Sequence, residues 1–253
     1  MKTEITGRLR EIEQSYKIKI IYAAESGSRA WGFPSADSDF DVRFIYMHQP
    51  EWYISVQSRK DTIEFPVTDN LDFSGWDIRK TLEMMSKGNS VLTEWLHSPV
   101  VYYSADTYAD ELSELSMKFW SPVSATYHYL SMAKKYRSLV DSDESRTLKN
   151  YFYALRTSFA AMWIADKQNF PPVSFPDMLQ LIRDDVNLVS KIRKMILMKE
   201  KRDEIQMYPS DPMLNHCIDR FISIAGQGIR SLKKSTGNIE EIDVYFQKLI
   251  FGK

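Results

Sequence analysis

At 253 residues, with 43% hydrophobic and 26% charged side chains, the chain has ordinary globular composition and length for one large or two modest domains. Its 33 basic and 34 acidic residues leave a net charge of −1, so total charge does not announce a nucleic-acid binder. There is no run of about 18 apolar residues, and the charged start MKTEITGRLREIEQ reads as neither signal peptide nor membrane span, so no membrane partner is expected. The single cysteine, Cys217, excludes an internal disulfide; a cytoplasmic setting with Cys217 as a small buried residue is the expectation.

Taken in order, residues 3–15 read as a helix with Ile5, Leu9 and Ile12 on one side. Strands are expected at 17–24, 40–46, 60–65, 71–74 and 100–103, with Pro66 closing the third. After Gly75 the apolar period changes to near 3.6 through Ile78, Leu82 and Met85 and again through Val91, Trp95 and Leu96, giving two helices separated by Gly88-Asn89. Trp95 reads as core and His97 as a helix-end residue. From about residue 105 the pattern is nearly all helical, with helices at 108–117, 124–139, 146–165, 177–198 and 212–234 broken by DSDES and FPPVSFP. The expected architecture is therefore α+β: a mixed sheet flanked by helices in 1–104, followed by an all-helical domain in 105–253.

The densest chemistry lies in ESGSRAWGFPSADSDFDVRFIY, residues 25–46. Two acids, Asp39 and Asp41, bracket Phe40 at the head of an apolar run. Side chains two apart in a strand share a face about 6.6 Å apart, so these carboxylates are expected to converge on shared ions. Mg²⁺ or Mn²⁺ held by carboxylates and substrate phosphates is suited to phosphoryl or nucleotidyl transfer. Gly27 allows the backbone to approach a phosphate closely, and Ser28 offers an N–H and a hydroxyl if a helical turn begins there. Asp37 and Ser38 near Pro34 also suit a simple surface turn.

Gly27-Ser28, ten intervening residues and Asp39-Phe40-Asp41-Val42 together resemble the signature of the DNA polymerase β-like nucleotidyltransferase superfamily. ESGSRAWGF followed by SDFDVRFIY is similar to its branch of RNA-ligase-associated nucleotidyltransferases, and LDFSGWDIRKTLEMM, LTEWLHSPVVYY and LKNYFYALRTSFAAMWIA extend the likeness over residues 18–165. The resemblance implies an NTP substrate, pyrophosphate release and an RNA end as acceptor. It also implies a third carboxylate from a later strand. Asp72 occupies the matching place, as metal ligand and acceptor of the attacking hydroxyl's proton, while Asp77 competes for that role and also suits a helix cap.

Arg43, two residues beyond Asp41, shares the face of both acids and is expected to orient a carboxylate or touch substrate. Arg29 is a further phosphate-binding candidate. Lys149, Tyr153 and Arg156 follow helical spacing on one face, offering cations for phosphates and a ring for a base. Lys191, Arg193, Lys194, Lys199, Lys201 and Arg202 form a late basic cluster that reads first as a solvated helix face. A non-catalytic nucleotide sensor or toxin-neutralising partner, and an interaction protein with purely structural acids, stay open beside the transferase. Nothing in the sequence sets the nucleobase, the acceptor or the oligomeric state.

Overall fold

In a computed structural model describing residues 1–201 and 206–252, the chain opens with helix α1, Lys2–Tyr16, whose Ile5, Leu9 and Ile12 are buried as their spacing requires. Lys17, in the left-handed region at φ 53°, stops it by returning its N–H to Glu13 O. Strand β1 (Lys19–Ser26) follows, then the single turn α2 (Gly27–Ala30), β2 (Phe40–Met47), α3 (Pro50–Tyr53), β3 (Thr62–Glu64) and β4 (Leu71–Asp77). Next come α4 (Ile78–Ser86), α5 (Ser90–Leu96), β5 (Val101–Ser104) and α6 (Asp106–Phe119). Helices α7 (Pro122–Asp141), α8 (Leu148–Lys167), α9 (Phe175–Met178), α10 (Val186–Lys199), α11 (Pro212–Gly228) and α12 (Ile239–Phe251) complete the chain.

The five strands lie in the order β3-β4-β2-β1-β5; β2 and β4 run parallel, and the other neighbours are antiparallel. The mixed α/β class expected from the sequence is thus the class observed. β1 is buried over nearly its whole length because both faces are covered. On one face Ile20, Ala23, Val42, Phe44, Tyr46 and Phe73 pack with the α1 stripe. On the other, Ile21, Tyr22, Ala24 and Ile45 pack with side chains of α4, α5, α6 and α12. β4 runs past Gly75, where the 71–74 strand was expected to end, because Gly75 is paired on both sides, with Phe44 and with Ile63; the Phe44 ring fills the space a Cβ would need there, 2.2 Å from its position.

The chain divides into two compact units, one of Met1–Ala30, Asp39–Trp120 and the segment from Ser235, the other of Trp31–Ser38 and Ser121–Lys234. This differs from the expected 1–104 and 105–253 at three places, each with a packing reason. Leu112, Leu115 and Phe119 of α6 are buried in the sheet unit's core, so the helical period after residue 105 does not mark a boundary. α12, absent from the helices read in the sequence, buries Ile242, Tyr245, Leu249 and Ile250 in that same core. Residues 31–38 belong to the helical unit because fully buried Phe33 stacks on Phe152 at 4.8 Å and meets Phe175 edge-on.

The helical unit is built on α7, α8 and α11, with Tyr129, Leu155, Phe159, Ile218 and Phe221 among its buried side chains. The single helix expected over 177–198 is instead α9, a 3₁₀ turn at Leu179–Ile182 and α10, restarted by Asp185, whose side chain accepts from Leu188 N. Cys217 is buried in α11 and its thiol is pushed up to about 12 by burial, as a packing residue rather than a nucleophile. Arg202 of the late basic cluster lies outside the described residues. Among the described residues, no helix is long and apolar enough to cross a membrane.

Candidate functional site

The parallel pairing of β2 with β4 sets Asp41 directly beside Asp72. Side chains of register partners share a face, so the two carboxylates stand together although thirty positions separate them in sequence. Two like charges side by side need a cation between them, and Arg43, two residues along on the same face, supplies it. Its Nη2 donates to Asp41 Oδ1 at 2.9 Å and to Asp72 Oδ2 at 2.7 Å, while Nη1 donates to Asp72 O at 3.1 Å. One guanidinium thus ties the two strands' acids together, as the fork geometry of arginine allows. Both carboxylates stay within reach of a ligand: the side chains of Asp41 and Asp72 are 29% and 26% exposed.

Gly27 forms the floor beside them. It sits at φ 63°, and a Cβ built on it would lie 2.0 Å from Asp41 Oδ2, so only glycine both adopts this backbone and leaves room for the carboxylate. Ser28 is buried in the one-turn helix that follows, Gly27–Ala30, a turn too short to present the summed dipole of a full helix. Arg29 stacks its guanidinium 3.8 Å from the Phe40 ring centroid and donates from Nε to Asp39 O at 3.1 Å. Asp39 is the residue directly before β2, and its backbone carbonyl is the one that Arg29 holds.

One contributor was missed. Glu25, at the end of β1, is buried, and its carboxylate accepts from Asp41 N at 2.8 Å and from Tyr102 Oη. Burial raises its pKa, with the hydrogen bonds from Tyr102 and the Asp41 backbone opposing that rise. It braces the backbone of Asp41 from behind. The available signal was an acid closing an apolar run directly ahead of Ser26-Gly27, where a charged side chain needs a reason to be buried.

Asp77 separates cleanly from this group. It is fully buried at the far end of β4, where Oδ1 accepts from Arg79 N and Oδ2 from Tyr53 Oη, both at 2.8 Å. It is the N-cap of α4, and burial pushes its carboxyl up to about 6. Of the two competitors for the later-strand carboxylate, Asp72 is the one beside Asp41. His97 closes α5, its Nδ1 2.9 Å from Thr93 O, in the helix-end position its sequence context suggested.

Lys149, Tyr153 and Arg156 lie on α8 in the helical unit. Tyr153 packs edge-on to Trp31 at 5.4 Å and against Tyr136 at 4.7 Å, and Lys149 is close enough to Tyr136 to oppose the burial that raises its pKa. Arg156 is 3% exposed, with its guanidinium 4.2 Å from the Trp31 ring centroid. Burial of that depth makes it a packing partner of Trp31, whereas Lys149 and Tyr153 are partly exposed.

Among the described residues no three His, Cys, Asp or Glu side chains are assembled to hold a metal ion. What is present is a pair. Asp41 Oδ1 and Asp72 Oδ2 converge on one cationic nitrogen, and Mg²⁺ is commonly held by one or two carboxylates with substrate phosphates supplying further ligands. Asp41 and Asp72 therefore fit such an ion in donor type and in convergence.

Residues 1–248 match the family model described as RlaP, RNA repair pathway DNA polymerase beta family. A Bacillus subtilis (strain 168) protein described as uncharacterized protein YcgL is 39% identical over 233 residues, which cover 92% of this chain and 90% of the relative. A solved nucleotidyltransferase-like protein from Exiguobacterium sibiricum 255-15 aligns over 98% of this chain and 80% of its own, at 12% identity and a TM-score of 0.29, a likeness too slight to bear on the chemistry.

Proposed function

The chain belongs to the RNA repair pathway DNA polymerase beta family, and from that membership and the acid pair on β2 and β4 we propose a nucleotidyltransferase dependent on Mg²⁺ or Mn²⁺. It moves a nucleoside monophosphate from an NTP to a hydroxyl acceptor, with an RNA end as the acceptor the family description favours. The observation that carries this reading is the convergence of Asp41 and Asp72 beside Gly27, where the absent Cβ leaves room for the Asp41 carboxylate.

In the proposed reaction an acceptor oxygen forms a bond to the α-phosphorus, the bond to the bridging oxygen of the β-phosphate breaks, and pyrophosphate leaves. When bound, the metal ion supplies charge neutralisation for the phosphate oxygens. Asp41 and Asp72 would hold such an ion, and Asp72 takes the hydroxyl proton as the acceptor attacks. Arg43 keeps both carboxylates in place. Glu25 sets the Asp41 backbone, Ser28 and Arg29 serve the triphosphate, and Gly27 keeps the approach open. The need for NTP fits a cytoplasmic protein.

The test is thermal denaturation with each NTP in Mg²⁺ or in EDTA, paired with transfer of label from α-labelled NTP to pooled RNA. Binding confined to the metal-containing samples, with pyrophosphate-releasing transfer, is expected; a hundredfold excess over Kd stabilises by about 2.7 kcal/mol. Equal stabilisation in EDTA overturns the metal assignment. A second reading, NTP binding without transfer as in a sensor or toxin partner, is favoured by one observation: Arg43 already neutralises part of the acid pair's charge. Metal-independent NTP binding with no transfer to RNA selects it.

A further inference from the structure

Lys199, the last residue of α10, is 1% exposed. A buried ammonium is costly unless it is hydrogen-bonded, and a helix end near the surface can ordinarily let lysine reach water, so this burial calls for a reason. Its Nζ donates to Ser35 Oγ at 3.1 Å and lies 5.8 Å from the Phe33 ring centroid. Ser35 is itself buried and tied to buried Ser38 three ways: the hydroxyls lie 2.8 Å apart, Ser35 N donates to Ser38 Oγ at 2.9 Å, and Ser38 N donates to Ser35 O at 3.2 Å. Phe175 N donates to Trp31 O at 2.9 Å, and Phe33 stacks on Phe152.

The segment so gripped is the stretch of chain between Ala30 and Asp39. At one end it joins the turn that carries Gly27 and Ser28, at the other the approach to Asp41. We propose that Lys199 is a positioning residue: by holding the Ser35–Ser38 turn it fixes residues 31–38, and through the covalent chain it sets where both halves of the Gly27-Ser28 and Asp39-Phe40-Asp41 motif begin and end. This inference rests on the transferase reading for its consequence, though not for its geometry. Ser38, which in sequence suits an exposed turn, is buried and bonded to Ser35, the hydrogen-bond partner of a lysine far along the chain. A misplacement of about 1 Å at reacting groups costs on the order of 10²-fold in rate, so a loose 31–38 segment would lower turnover without touching any reacting atom.

The experiment compares the wild-type chain with Lys199→Met and the milder Ser35→Ala. Ile218→Val, in the α11 core, serves as a control for general loss of stability. Amide hydrogen exchange is read at Ser35, Ser38, Phe40 and Asp41, with Ala23 and Phe44 as sheet references, and label transfer from ATP with Mg²⁺ and pooled RNA is measured beside it. Both test variants are expected to speed exchange at least tenfold at Ser35 and Ser38 and measurably at Phe40 and Asp41, with Ala23 and Phe44 unchanged. In them kcat falls on the order of 10²-fold while KM for ATP moves little; Ile218→Val changes neither exchange at Asp41 nor kcat. Exchange that rises only within the helical unit, or uniformly with lost stability, overturns the proposal. If wild type transfers no label, the transferase reading falls, and exchange at Phe40 and Asp41 alone decides whether Lys199 positions the motif.

Discussion

Two carboxylates on one strand, Asp72 near the start of β4 and Asp77 at its end, meet opposite surroundings. Asp72 is partly exposed, flanked by a second acid, and shares a guanidinium with it. Asp77 is sealed from solvent, holds a phenol hydroxyl and a helix N-terminal N–H, and is pushed up to about 6 by burial. The difference teaches that a buried acid with every oxygen engaged by its own fold stabilises architecture, while an exposed acid facing another acid keeps coordination capacity for a ligand. Perturbed ionisation alone would have pointed to Asp77, the one of the two that does not stand beside Asp41.

The sharpest break of this comparison is Asp41→Asn or Asp72→Asn. Each removes charge with little change in volume, so nucleotidyl transfer is expected to fall at least as far as the roughly 10² to 10³-fold seen for loss of a single electrostatic group, with the melting temperature nearly unchanged. Retained activity in either variant would remove that carboxylate from the chemistry.

Next comes Gly27→Ala. The new methyl meets Asp41 Oδ2 at 2.0 Å on a backbone at φ 63°, so the carboxylate must move. Strain of about 1 to 3 kcal/mol and a rate loss on the order of 10²-fold are expected. Wild-type kcat in a folded Gly27→Ala protein would show that the position of the Asp41 carboxylate is unimportant.

Asp77 is tested by pH. Folded, it keeps its proton up to about pH 6; unfolded, it releases it near its ordinary value of 3.8. Between those values the folded state binds more protons, so its contribution to stability falls as pH rises from about 4 to about 6 and is level above, by at most on the order of 3 kcal/mol. Asp77→Asn retains a cap and removes that slope. Urea unfolding across this range checks it, and identical pH profiles for variant and wild type would sink the assignment; nucleotidyl transfer at neutral pH is expected to survive.

The smallest effect is Arg43→Lys. It keeps a positive charge but cannot reproduce the contacts to both carboxylates and to Asp72 O at once, so a loss of about 1.5 to 3 kcal/mol in transition-state binding is expected, read from kcat/KM. Full activity would reduce Arg43 to a strand-end ion pair.

Local pattern alone was enough for α1, β1, β2 and the mixed α/β class, because Ile5, Leu9 and Ile12 or the alternation through Val42, Phe44 and Tyr46 record burial directly in the chain. Gly27, Asp41 and Arg43 were legible for the same reason: they sit close together in sequence. What lies far apart was not. That Asp72 rather than Asp77 stands beside Asp41 depends on the parallel register of β2 and β4, and a shift of one residue would turn the other face inward. Glu25 acquires its role only from Tyr102 and the Asp41 backbone, across strands. The unit boundaries were hidden because helical period says nothing about which core a helix joins; α6 and α12 pack on the sheet, and Phe33 carries residues 31–38 into the helical unit. Sequence thus determined residue chemistry and local conformation, while tertiary packing alone decided which charges became neighbours and which were buried, since both depend on contacts between segments that no local pattern encodes.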